Sequence, residues 1–294
     1  MITLEFVREL RVSDASGAVR HISSASGLIL REGRAFVVGD DLLSLGIFAV
    51  DSDTPGSLRR MLPGELPEEP LALKKAKPDL ECLFEISLAE GSRSLLVALP
   101  SGSKKNRSRG ALIDGEGVRE LDFSDLIAGL EGRVVGLNIE GAIDSGETIA
   151  LFHRGNSKGS ENAIFEFERV RFLKEIESGR VGSNSLRKMT PLRLGEIDGI
   201  RLTFGDAAKD ASGRVWFIAS AEATDDAYLD GAYGGAVLGR LSPELDRVEE
   251  CLRIASGAKP EGLAFDPNDP RAFYVVTDAD DPQAVSGLFR GRLD

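Results

Sequence analysis

At 294 residues, 42% hydrophobic and 29% charged, the chain has the make-up of a folded globular protein and can bury a core without disulfide or metal staples. Its 48 acids against 36 bases leave a net charge of −12, which excludes general nucleic-acid binding and docking on anionic membranes, both of which need a basic face. No stretch approaches the ~18 apolar residues of a membrane span, and the N-terminal MITLEFVREL lacks the apolar run of a signal peptide. The two cysteines, Cys82 and Cys251, read as buried free thiols, so the expected location is the cytoplasm.

Residues 3–10 alternate like a strand. After them the same unit recurs five times, opening each time on polar residues, a small residue or cysteine, and an apolar residue. Ser24-Ala25-Ser26-Gly27-Leu28 opens the first unit, followed by strand-like runs at 35–39, 45–50 and 57–62. Asp79-Leu80-Glu81-Cys82-Leu83 opens the second, with runs at 95–99, 110–113 and 118–123. Asn138-Ile139-Glu140-Gly141-Ala142 opens the third, with runs at 149–153, 163–167 and 169–176. Glu196-Ile197-Asp198-Gly199-Ile200 opens the fourth, with runs at 215–220, 236–241 and 247–254. Lys259-Pro260-Glu261-Gly262-Leu263 opens the fifth, with runs at 273–277 and 287–293 and no fourth run. The second runs are rich in Val, Ile and Phe, as central strands are, and the fourth are charged, as outer edges are.

The anchors at 26, 81, 140, 198 and 261 are spaced by 55, 59, 58 and 63 residues, and the interval from 261 through the chain end back to 26 is 59. A closed ring requires that match; a linear array or a two-sheet sandwich does not. The expected fold is therefore all-β: a single five-bladed β-propeller domain over residues 1–294, with four-stranded blades and the last blade completed by the N-terminal segment 3–10.

In a propeller the first strand of each blade lines the channel, and residues two apart share a face. That pairs Ser24 with Ser26, Asp79 with Glu81, Asn138 with Glu140, Glu196 with Asp198, and Lys259 with Glu261. Converging carboxylates need protons, basic partners or a metal. In one reading Glu81, Glu140, Asp198 and Glu261, helped by Asn138, hold a hard cation such as Ca2+. In the other they ring a wet channel or cap backbone N–H groups of the next blade.

The loops after the second strands should open on the same face. They bring Asp40 and Asp41, residues 101–109, His153, Arg154, Asn156 and Lys158, Glu222, Asp225 and Asp226, and Asp278, Asp280 and Asp281. Asp40, Asp79, Asn138 and Asp278 are the expected ligand-binding residues. The basic run 103–109 suits either an anion or a solvated loop tip. Arg154 either steadies an anionic substrate or forms a structural ion pair with Glu81 or Glu140. His153 is the general-base candidate near the ring. The loop 223–235, with Tyr228 and Tyr233, reads as a lid or as a packed surface loop. The chain carries no HExxH, P-loop or dinucleotide fingerprint.

The Glu-Gly inner strands Lys259-Pro260-Glu261-Gly262-Leu263 and Asn138-Ile139-Glu140-Gly141, with Asn162-Ala163-Ile164-Phe165 and the strand end Thr277-Asp278, resemble those of bacterial propellers grouped with the esterase-like phytases. Ser26 stands where that pattern has an acid, and Cys82 where it has glycine. The resemblance implies a calcium-dependent propeller or a phosphoester hydrolase. Two functions follow: a propeller that binds a small molecule or protein on its loop face, or a metal-assisted hydrolase of phosphate or carboxylic esters with Arg154 and His153 as catalytic residues.

Overall fold

Most of the strand-like runs form strands within a residue or two of their expected bounds. The computed structural model of the protein describes residues 1–14, 16–88, 94–115, 117–222, 233–257, 259–278 and 281–294. Five antiparallel sheets make up a five-bladed β-propeller. The first blade is Ala25–Arg31, Arg34–Gly39, Ser44–Ala49 and Ser57–Arg60. The second is Leu80–Ser87, Ser94–Pro100, Arg109–Ile113 and Val118–Asp122, and the third is Ile139–Asp144, Thr148–His153, Asn162–Glu168 and Leu186–Leu192. The fourth is Ile200–Lys209, Val215–Glu222, Tyr233–Leu241 and Val248–Ala255. The fifth is Lys259–Phe265, Ala272–Asp278 and Gly287–Arg292, completed by Glu5–Glu9 from the N-terminus. The first strands touch in the cyclic order one to five and back to one.

The core is five separate clusters, one at each blade interface. Each sheet buries one apolar face against the next, so no blade has a core of its own. The first strands share a further device. Their pairing with the second strands skips Ser26–Gly27, Glu81, Glu140, Gly205 and Glu261, a bulge at the same height in every blade. The residue after each bulge meets the next blade. A β-carbon at Gly27, Gly141 or Gly262 would collide with the backbone at Leu83, Ala207 or Ser26. Cys82 takes that position in the second blade, its Sγ 3.8 Å from the Ile139 carbonyl oxygen. Asp206 takes it in the fourth and accepts from Leu263 N at 2.8 Å and Ala207 N at 2.7 Å.

Three expectations are corrected. The fourth anchor is Gly205 with Asp206, not Asp198 with Gly199. The segment around Asp198 is a two-residue hairpin in which Asp198 and Gly199 both have positive φ, 51° and 79°, as a tight Asp-Gly turn requires. The run 169–176 is not the outer strand of the third blade but the helix Arg169–Ser178. Glu168 caps it by accepting from Val170 N and Arg171 N, Gly179 ends it at φ 85°, and Phe172 and Ile176, four apart, bury its inner face. The outer strand follows at Leu186–Leu192. Finally, Cys82 is buried but Cys251 is exposed on an outer strand.

The N-terminal segment does more than fill the last blade. Ile2–Thr3 adds a parallel strand to the outside of the fourth blade. Buried Arg8 reaches the first, donating to the carbonyls of Ala49 at 2.7 Å, Thr54 at 2.8 Å and Ser52. No helix among the described residues is long and apolar enough to cross a membrane.

Candidate functional site at the channel mouth

The first strands begin at one end of the channel, and the ends of the second strands and the connector from blade one to blade two meet them there. The result is a polar pocket of about 100 Å³. Six carboxyl groups line it: Asp40, Asp79, Glu81, Glu140, Glu261 and Asp278. Five cations face them: Lys74, Lys77, Arg107, Arg154 and Lys259. Ser26, Ser103 and Asn138 complete the wall.

Two ion-pair networks divide the ring. On one side Arg154 bonds Glu140 at 3.1 Å and Glu222 at 2.5 Å, and Lys259 bonds Glu222 at 3.1 Å and Glu261 at 2.8 Å. Asn138 Nδ2 donates to Glu140 at 2.6 Å. On the other side Lys77 pairs with Asp40 and, at 3.2 Å, with Asp79. Asp79 also accepts from Arg107 at 2.7 Å, Ser103 at 3.1 Å and Ser101. Among the described residues Glu81 makes no hydrogen bond and no ion pair; it lies between the networks, with Asp40 and Asp79 on one flank and Glu140 on the other.

These contacts set the protonation. Burial pushes Glu81 well above the usual carboxylate range, and Glu140, Asp79 and Asp40 push it further while Lys77 opposes. Burial brings Glu140 up to about 7 against the pull of Arg154, and Asp40 up to about 6 against the pull of Lys77. Although burial works against its charge, Lys77 is held above its ordinary value by Asp40 and Asp79. Burial works against the charge of Glu222 too, yet Arg154 and Lys259 keep it below its ordinary value and ionised.

The expected residues separate clearly. Glu81, Glu140, Glu261, Asp40, Asp79, Asn138, Asp278 and Arg154 come together at the mouth. Asp198, expected as a metal ligand, does not; it lies exposed on the hairpin turn. His153, expected beside Arg154 as the proton carrier, does not either. Its ring is fully buried, with Nδ1 within 3.1 Å of Asn138 N and 3.0 Å of Asn138 O, and Nε2 3.1 Å from Ser160 Oγ. Neighbours on a strand face opposite ways, so placing Arg154 in the pocket puts His153 in the sheet. Burial lowers it to about 4, so it is neutral at physiological pH.

Sequence reasoning passed over Lys74 and Lys77, carried in by the helix Pro70–Ala76 that Glu69 caps. The signal was there: an acid before Pro-Leu and lysines spaced to reach one side. Arg107, in the run read as anion site or solvated tip, is buried on Asp79. Asp225, Asp226, Tyr228 and Asp280 lie outside the described residues.

A family model described as a family of unknown function (DUF6929) matches residues 21–293. No curated protein matches the chain significantly. Solved structures of similar fold include a glutaminyl cyclase of Myxococcus xanthus, 13% identical, covering 100% of this chain and 97% of that one at a TM-score of 0.53. An alpha-L-arabinofuranosidase of Podospora anserina in complex with cellotriose is 11% identical, over 99% and 96%, at 0.54. A mannose phosphorylase of Leishmania mexicana in complex with phosphate is 12% identical, over 99% and 88%, at 0.50. At these identities the likeness is one of fold.

Proposed function

We propose, for a chain that belongs to the DUF6929 family of unknown function, that the channel mouth of this propeller binds a small polar molecule. Glu81 carries the reading. It is a carboxyl group in a pocket where the neighbouring acids are held by direct partners, and its own side chain has none among the described residues. Half-buried at the mouth, it offers a carboxyl group to whatever enters, while the acids around it are already engaged. Thermal melting of the wild type and of Glu81→Leu against amino acids, sugars, polyols and their phosphates tests this. A ligand at a hundred times its Kd adds about 2.7 kcal/mol to the wild type and much less to the variant. A library that shifts the two proteins alike sinks the reading.

A second reading is favoured by Asp40, Asp79 and Glu81, whose carboxylate oxygens come within 4.8 Å of one another. Three oxygen donors suit a hard cation such as Ca2+, which would polarise an ester oxygen in hydrolysis of phosphate or carboxylic esters. Arg154 and Arg107 would bind the anionic part of such a substrate. Lys77 already neutralises two of the three donors, so it and a divalent cation compete for the same oxygens. This reading expects calcium to raise the melting temperature, and Lys77→Met to enlarge that response. Melting curves indifferent to calcium and EDTA in both proteins rule it out.

A further inference from the structure

The far end of the channel holds a second cavity, of about 260 Å³ against about 100 Å³ at the mouth. All five first strands line it with the residues that follow the bulge, and the turns after Lys209 and Phe265 form part of its rim. Side-chain size makes the room. One place past the residue that meets the next blade, blades one, two and five carry Leu28, Leu83 and Leu263, but blades three and four carry Ala142 and Ala207. At the following place Ile29, Phe84 and Ile143 stand against Ala208 and Ala264. The alanines fall on the consecutive blades three to five, whose first strands touch, so the space they leave is continuous.

The wall of this chamber is hydrocarbon interrupted by main chain. At this height each first strand pairs with its second strand only, which leaves the N–H and C=O groups of its other edge to the channel. Asp206 takes two of those N–H groups, from Ala207 and Leu263. The charged side chains stand at the rim and are mostly engaged. Asp144 pairs with Arg169 at 2.9 Å, and Asp210 with Arg214 at 2.7 Å and with Trp216 Nε1 at 2.9 Å. Glu85 shares Arg31 with Glu32, at 4.0 Å and 3.6 Å. Lys209 and Asp266 make no ion pair among the described residues; they are opposite in sign, sit on neighbouring blades and both reach water. An ion moving past this rim would exchange its hydration for hydrocarbon with no countercharge inside.

A hydrocarbon-walled cavity of about 150 Å³ takes benzene. In proportion, about 260 Å³ suits a fused pair of rings, roughly ten non-hydrogen atoms. We propose that this chamber is a second binding site, distinct from the mouth, and that it takes an uncharged nitrogen heterocycle of that size. The ring faces lie against the aliphatic and aromatic side chains, and the ring nitrogens meet the open strand edges. Phe265 of the wall packs on Trp216, ring centroids 5.9 Å apart, and Trp216 is the only tryptophan of the chain. Its emission therefore reports on the chamber without any substitution.

The full chain is titrated calorimetrically against adenine, indole and quinoline, which are uncharged at neutral pH, and against tryptamine and indole-3-acetate, which carry one charge of either sign. Trp216 emission is followed with adenine, which does not itself emit. At least one uncharged ring is expected to bind. Ala208→Leu and Ala264→Leu, which fill the chamber from two blades, should each weaken that binding at least about tenfold. Adenine, where it binds, should shift the Trp216 emission. Binding of the charged pair alone overturns the ligand class. Absence of binding by all five overturns the site, as does binding that survives both substitutions and leaves the emission unchanged.

Discussion

His153 and Arg154 are adjacent in the chain and opposite in role. Arg154 joins Glu140 from the third blade to Glu222 from the fourth, so its removal takes the guanidinium from two buried carboxylates at once, leaving Glu140 with Asn138 and Glu222 with Lys259. Arg154→Met should lower stability by roughly 3–5 kcal/mol, and Arg154→Met with Glu222→Gln should restore part of it; chemical denaturation decides. His153 governs the acid side of the stability curve. Burial puts it at about 4 in the folded protein, against 6.5 ordinarily. Between those values the unfolded chain takes up a proton that the folded one refuses. Stability therefore falls as pH drops from 6.5 towards about 4, by up to about 1.4 kcal/mol per pH unit. Glu140 acts in the other direction. Burial raises it from 4.5 to about 7, so the folded state keeps a proton the unfolded state loses, and its contribution fades as pH rises through that range. Denaturation curves across this range should show His153→Gln flattening the acid fall and Glu140→Gln flattening the loss towards neutral pH. Unchanged slopes in both variants would contradict these assignments.

Helix Arg169–Ser178 shows how an element departs from its local alternation. Val-Arg-Phe reads as strand, but Glu168 before it, Gly179 after it and the four-residue spacing of Phe172 and Ile176 favour a helix that packs Phe172 on Phe167, ring centroids 5.5 Å apart. Gly179→Ala should destabilise by roughly 1 kcal/mol, because alanine resists the left-handed backbone there. Glu168→Ala should cost about the same through the lost cap. If both variants melt with the wild type, the ends of this helix are not what fixes it. The hairpin at Asp198 makes the complementary point. Asp-Gly between short apolar runs is a turn signal, and it outweighs the resemblance of Glu196-Ile197-Asp198-Gly199-Ile200 to the inner-strand motif. The true inner strand places Gly205 and Asp206 in the reverse order of the Glu-Gly pair, which no motif search keyed on Glu-Gly would find.

Across the whole molecule, closure rests on ten N-terminal residues that touch three blades. Glu5–Glu9 completes the fifth, Ile2–Thr3 extends the fourth, and Arg8 is bonded to carbonyls of the first. Deleting residues 1–10 should expose the edge of Gly287–Arg292, lower the melting temperature and promote aggregation. Arg8→Met should destabilise without aggregation, because the strand ladder remains. A truncated protein that stays monodisperse with an unchanged melting temperature would show that the ring closes without this segment.

Repeat spacing and apolar runs were enough to specify five blades and their closure, because each depends on local pattern and chain length, although the fourth anchor and the third outer strand lie elsewhere than the pattern put them. Most of the acids at the mouth were legible for the same reason: Glu81, Glu140 and Glu261 hold the same place in equivalent strands. The partners of those acids were not legible. Lys77 comes from a connector, Arg107 from a loop, and Glu222 from another blade than Arg154. Which acid is left without a cation depends on where those long side chains end in space, and sequence separation carries no information about that. The charge state of the mouth was decided only when the blades met.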